Sequence, residues 1–212
     1  MIRVYGMAVW LELILLFVLV PLGILLSPFA IPKIPVLLVA TFLCLRLLLG
    51  DAGFSRKAFW YKQPLRTYLK TLLLRFILVG TALYLFTLVF VPEALFKFPQ
   101  SRPGFWMLVM VLYPLFSALP QELIYRAFFF HRYRSLFRTS RQMIWASSLA
   151  FAFLHIIFQN PIGVLLTIPG GYLFSHTYAR TNSLVLTGIE HALYGNLVFT
   201  VGLGLYFYRG PY

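Results

Sequence analysis

Long apolar runs separated by short polar stretches set the pattern of this chain. The runs lie at about 7–26, 35–50, 72–92, 104–130, 143–159, 162–179 and 183–207. A helix needs roughly 20 apolar residues to cross a bilayer core. The pattern therefore predicts an all-α protein, a polytopic membrane bundle of seven or eight transmembrane helices. It forms a single integral membrane domain over 1–212. The run 104–130 is too long for one straight span, and Pro114 and Pro120 are expected to kink or divide it. One crossing there gives seven spans, and a division at Pro120 gives an eighth or a re-entrant helix.

A few polar residues interrupt the apolar runs. Gln121, Glu122 and Arg126 form one group. His155 stands in the next run, and Glu190, His191 and Asn196 in the last. Ionisable groups at bilayer depth are costly, so they face a protein interior or a water-filled cavity. Three helices each supplying such groups point to one shared site. Glu122 and Arg126 are four residues apart, on one helix face and able to pair. Taken alone, that pair reads equally as a salt bridge that lets an acid sit in the membrane. A lone histidine such as His155 is more often a hydrogen-bonded core residue than a ligand. Together, two histidines and a glutamate from separate helices make a water-activating site, with the carboxylate as general base. The imidazoles would orient the water or hold a metal. His131, in a basic loop, and His176, near a span end, are expected to be solvated or hydrogen-bonded. Glu12 is an intramembrane acid with no partner visible in the sequence.

Composition and charge narrow the reading. Charged residues make up only 11% of the chain against 61% hydrophobic, where a soluble domain carries about 25% charged. The net charge of +13 is concentrated in two places. Arg56, Lys57, Lys62, Arg66, Lys70 and Arg75 form one group, and Arg132, Arg134, Arg138 and Arg141 the other. That placement follows the positive-inside rule and suits contact with anionic lipid, and it excludes nucleic acid as a partner. The loop 51–71 interleaves these charges with Phe54, Phe59, Trp60, Tyr61 and Tyr68, as an interfacial anchor does. The single cysteine, Cys44, reads as a small buried hydrophobe. The first run, which follows Arg3, is expected to be an uncleaved span.

Three stretches carry a resemblance to a known family. They are Gln121-Glu122-x-x-x-Arg126, Phe151-x-x-x-His155 and His191-Ala-Leu-Tyr-Gly-Asn196. In order and spacing they resemble the CAAX-type intramembrane proteases, also called Abi or CPBP proteins and including CAAX prenyl protease 2-like enzymes. That family shows Glu-Glu-x-x-x-Arg, Phe-x-x-x-His and His-x-x-x-Asn on successive helices. The resemblance covers a protease-like core over about 104–207. It implies about eight helices and hydrolysis of a peptide bond in or next to the bilayer, by a metalloendopeptidase in the customary labelling. Glu122, His155 and His191 would be catalytic, with Gln121, Arg126 and Asn196 supporting and Asn196 at the oxyanion. A divalent metal such as zinc, if bound, would sit on His155 and His191. Partners would be membrane lipids and a hydrophobic or prenylated peptide or membrane-protein substrate. The expected location is multi-pass in a bacterial plasma membrane. Two positions depart from the pattern: Gln121 replaces the first glutamate, and Gly195 stands where the family has asparagine. Gln121 leaves open a non-catalytic scaffold or peptide-binding immunity protein. A small transporter is the third reading, with no internal repeat visible in the chain.

Overall fold

The computed structural model describes residues 2–60 and 65–207, with side chains over 7–60 and 68–207. Tyr61, Lys62 and the side chains of Arg3 and Arg66 lie outside the described residues. The fold is all-helical, with no strand among the described residues. Five helices are long and apolar enough to cross a membrane. They are α1 (Met7–Leu26), α2 (Lys33–Gly50), α3 (Tyr68–Phe90), α4 (Pro103–Arg132) and α5 (Ser140–Phe158). The apolar runs alone predict seven or eight spans. The other two runs form α6 (Pro161–Thr181) and α7 (Leu184–Thr200), outside that apolar set. α7 is only 17 residues long. α6 buries Thr167, Ser175, Thr177 and Thr181. Each helix buries polar side chains on one face and exposes apolar ones, such as Leu165 and Ile189, on another.

Proline does not divide the long fourth span. α4 runs unbroken for 30 residues, about 45 Å at 1.5 Å per residue. Two π-helical turns absorb the irregularity, Pro114–Ala118 and Leu123–Phe128. A π-turn gives a lost i→i−4 bond another partner and commonly marks a functional segment. α1 uses the same device at Leu15–Leu19, just before Pro21.

Short polar signals set the ends of the inner helices. Thr139 and Gln142 form a capping box at the start of α5, satisfying amides that would otherwise be orphaned. Asn160 caps Ile162 and Gly163 at distances of 2.9 and 3.4 Å, with Pro161 at the first helical position. Asn182 ends α6 in the left-handed conformation, and Ser183 caps α7.

Burial separates a lipid-facing half from a core half. In α2 only 6% of the most apolar window is buried, whereas in α5 it is 39%. Leu11, Leu43, Leu47, Val89 and Phe90 are exposed, which costs nothing where the solvent is lipid. Small residues let α5 and α6 approach closely. A side chain at Gly171 would meet Phe151 Cδ1 and the Ser148 carbonyl, both at 3.0 Å. Ser147 donates to the Tyr125 carbonyl at 2.6 Å and contacts Ser175 Oγ at 3.0 Å. Packed helices in lipid rely on such small residues and polar contacts.

α4 and α7 run antiparallel in a clear register. Trp106 Nε1 donates to Thr200, Asn196 to the Met110 carbonyl, and Tyr113 meets His191. Leu119 covers Gly188. Beyond α7, Gly202 turns the chain with φ +99°, and a Cβ there would lie 2.0 Å from the Ala94 carbonyl oxygen. Gly202→Ala is therefore expected to cost at least about 1–3 kcal/mol, the scale of backbone strain, before the clash is counted. Gly23 has nothing within 4 Å of an added Cβ, so Gly23→Ala should be neutral or mildly stabilising. Thermal melting in detergent checks both, and equal melting temperatures for the two variants would overturn the expectation.

Candidate active site

A buried polar contact joins α4 to α7. Glu122 and Arg126 are fully buried, and His191 nearly so. Glu122 Oε1 lies 2.8 Å from His191 Nδ1, and Oε2 lies 3.1 Å from Arg126 Nε. The second contact is a close ion pair without hydrogen-bond alignment, since neither Oε2 nor Nε has an aligned partner. Both carboxylate oxygens are thus engaged. With Arg126 as counter-ion to the Glu122 carboxylate, whose oxygens accept, His191 Nδ1 carries the proton and donates it. The lone pair of the ring then resides on Nε2, which meets the Tyr113 hydroxyl at 2.9 Å.

Aromatic walls fix this array. Phe174 stacks on His191 at 4.5 Å between ring centroids, and Phe151 meets it edge-on at 5.4 Å. The Arg126 guanidinium sits 4.7 Å from the centre of the Phe151 ring and 5.7 Å from that of Phe174. Its Nη2 also reaches the Gly171 carbonyl at 3.4 Å. A planar, weakly hydrated cation suits such an aromatic corner better than an ammonium.

His155 approaches the same group from α5. Its Nδ1 donates to the Phe151 carbonyl at 2.9 Å, so its lone pair resides on Nε2. The Phe151 ring lies 4.8 Å from it, and His191 and Arg126 are within electrostatic range. The structure therefore gathers Glu122, Arg126, His155 and His191 around Phe151.

The other sequence candidates go elsewhere. Gln121 donates to Ser117 Oγ at 2.7 Å, while its carbonyl oxygen is buried without a partner among the described residues. Asn196, expected at the oxyanion, turns its amide to the Met110 carbonyl at 3.0 Å, because position 196 faces α4 a further 100° round the helix from His191's row. Glu190 leaves the group. It pairs with Arg75 Nη1 at 3.6 Å, and Arg75 also donates to Thr177 at 3.2 Å. Arg75 is thus no loop charge: α3 carries it inward to a second buried cluster. Glu12 does have a partner, a two-pronged pair with Arg132 at 2.9 and 2.6 Å, far along α4 from Glu122. His131 binds Asp51 at 2.8 Å, and this bond holds the Asp51 carboxyl below its ordinary range. His176 meets Arg75 at 3.3 Å.

A metal centre on these residues was one expectation. Among the described residues, no three His, Cys, Asp or Glu side chains converge to hold an ion. Both Glu122 oxygens and His191 Nδ1 are already engaged, so even with Tyr113 moved aside the set offers at most two free donors, His155 Nε2 and His191 Nε2. Catalytic zinc takes three protein ligands, so the donor set does not fit such a centre.

Tyr113 escaped the sequence reading. It is one of 13 tyrosines, and nothing in its spacing marks it, because its partners lie across the α4–α7 register. A weak signal was available in Gly195, which faces it. A Cβ at 195 would stand 2.2 Å from Tyr113 Cε1 and 2.3 Å from its hydroxyl oxygen.

No curated protein and no solved structure shows significant similarity to the chain. A family model, described as Rce1-like type II CAAX prenyl endopeptidase, matches residues 103–207. The matched segment contains Glu122, Arg126, His155 and His191 and begins with α4. The polar core of this integral membrane protein, residues 103–207, belongs to the Rce1-like family of CAAX-type intramembrane endopeptidases.

Proposed function

We propose that the chain is an active intramembrane endopeptidase that hydrolyses a peptide bond in or next to the bilayer, in a hydrophobic or prenylated peptide or membrane-protein substrate. The observation that carries this reading is the buried Glu122–His191 contact at 2.8 Å. A carboxylate on Nδ1 fixes the tautomer and stabilises the imidazolium that forms when Nε2 takes a proton. Glu122 is then the source of basicity, and His191 delivers it to water. Arg126 supplies the counter-charge to Glu122 at 3.1 Å in a setting closed to water. His155, with a free Nε2, holds the attacking water.

Chemically, the water's proton passes to His191 Nε2 as its oxygen bonds to the carbonyl carbon. The π electrons move to the carbonyl oxygen. On collapse the C–N bond breaks, and Nε2 returns the proton to the leaving nitrogen. The water-excluded setting strengthens each of these electrostatic contacts.

Gln121 favours a second reading, a binding scaffold of the same fold. An amide cannot take a proton at neutral pH, and this one is occupied with Ser117. Purified chain in liposomes, offered prenylated and unprenylated amphipathic peptides, separates the two. Cleavage lost in His155→Ala and His191→Ala supports the peptidase. Saturable peptide binding without cleavage, in both wild type and variants, supports the scaffold and removes the peptidase reading.

A further inference from the structure

We infer that the Tyr113 hydroxyl is a catalytic hydrogen-bond donor: it caps His191 Nε2 in the substrate-free state and moves to the substrate carbonyl oxygen when a peptide binds. This rests on the peptidase reading above and adds a residue that the motif pattern does not contain.

Glu122, His191 and Tyr113 form a continuous chain. Glu122 Oε1 accepts from Nδ1 at 2.8 Å, and Nε2 accepts from the phenol at 2.9 Å. A base whose lone pair is already occupied cannot deprotonate water, so Tyr113 must release Nε2 for the reaction to begin. The released hydroxyl stays within a hydrogen bond's reach of the atom that deprotonates the water. The carbonyl attacked by that water lies in the same small volume, and its oxygen becomes negative as the bond forms. A neutral O–H donor placed there stabilises that charge without adding a cation that would compete for Glu122. The other amide near this segment, Asn196, is committed to the Met110 carbonyl.

The seat of the ring looks built for this position. Gly195 is directly beneath it, and any side chain at 195 would overlap the phenol, with its Cβ 2.2–2.4 Å from Cε1, Cζ and the hydroxyl oxygen. Phe199 supports the ring edge-on at 5.3 Å. One turn of α7 thus carries His191 to be capped, Gly195 to make room and Phe199 to prop the ring. Tyr113 itself precedes Pro114, at the start of a π-turn of the kind that commonly marks a functional segment.

The step balances as hydrolysis does. Water gives its proton to His191 Nε2, its oxygen bonds to carbon, and the carbonyl π pair becomes the oxyanion. Tyr113 donates a hydrogen bond to that oxyanion and keeps its proton. Collapse restores the carbonyl, breaks the C–N bond and sends the Nε2 proton to nitrogen.

The test is cleavage kinetics in liposomes with one amphipathic peptide substrate. Tyr113→Phe keeps the ring and removes the hydroxyl. It should lower kcat by roughly 10²–10³-fold, as loss of one oxyanion donor does, with KM nearly unchanged. Gly195→Ala, which displaces the ring, should lower kcat similarly, and the double variant should fall no further. Should Tyr113→Phe fold poorly, 3,5-difluorotyrosine introduced at position 113 keeps ring and hydroxyl but acidifies the phenol. It should shift the alkaline limb of the kcat profile to lower pH. A merely structural tyrosine would leave that limb in place. Wild-type kcat in Tyr113→Phe, or an unmoved alkaline limb, would overturn the donor role while the peptidase reading stands. No cleavage by wild type on any peptide would overturn both.

Discussion

Glu122→Gln is expected to lower the rate of peptide cleavage by about 10³–10⁴-fold, the loss seen when the carboxylate behind a catalytic histidine becomes an amide. Among the described residues, Glu122 Oε1 is the acceptor that His191 Nδ1 meets. Glutamine has nearly the same shape, so the Phe174 and Phe151 walls need not move. What disappears is the negative charge. The imidazolium formed at His191 then has no counter-ion in a site where water is excluded, and the amide nitrogen can turn toward Nδ1 and favour the wrong tautomer. His191→Ala should cause an equal loss, and Glu122→Gln combined with His191→Ala should cost no more than either alone, because the two act as one unit. Peptide affinity, read by fluorescence anisotropy, should stay near wild type. Cleavage surviving in Glu122→Gln would remove Glu122 from the mechanism.

Much of this site was legible in the sequence because a bilayer makes polar residues conspicuous. Glu122, Arg126, His155 and His191 stand out against apolar runs, and the structure brings all four around Phe151. The Glu122–Arg126 pair followed from helical spacing alone. The remainder depends on which residues face each other across helices, and spacing within one helix carries no record of that. Asn196 satisfies the eye as a substitute for an amide at 195, yet its side chain serves Met110. Tyr113, an ordinary span residue by sequence, lies opposite Gly195 because α4 and α7 run antiparallel in a fixed register. The basic run that Arg75 closes reads as loop charge, but helix α3 has already begun at Tyr68 and turns Arg75 toward Glu190. The prolines of α4 misled for a related reason. Pro114 and Pro120 remove backbone donors, and π-turns rather than a break absorb the loss.

Arg126→Ala should have the largest effect on folding of any single change in the core, about 3–5 kcal/mol, the scale for breaking a buried ion pair from one side. The guanidinium is completely enclosed, with Glu122 at 3.1 Å, two aromatic faces and the Gly171 carbonyl around it. Alanine removes all of these contacts and leaves Glu122 buried without its cation. Arg126→Lys should recover only part of the loss. An ammonium keeps the charge but lacks the planar fork that meets the Phe151 ring and reaches Glu122 and Gly171 together. A double change, Arg126→Met with Glu122→Leu, removes both charges at similar volume. Well-packed apolar replacements of a buried pair are often neutral or stabilising, so this variant should fold close to wild type and cleave nothing. Thermal melts by fluorescence-detected size exclusion in detergent give the order: wild type and double variant highest, then lysine, then alanine. If the double variant melts as low as Arg126→Ala, the loss comes from packing around the guanidinium rather than from the stranded carboxylate, and the electrostatic role assigned to Arg126 fails.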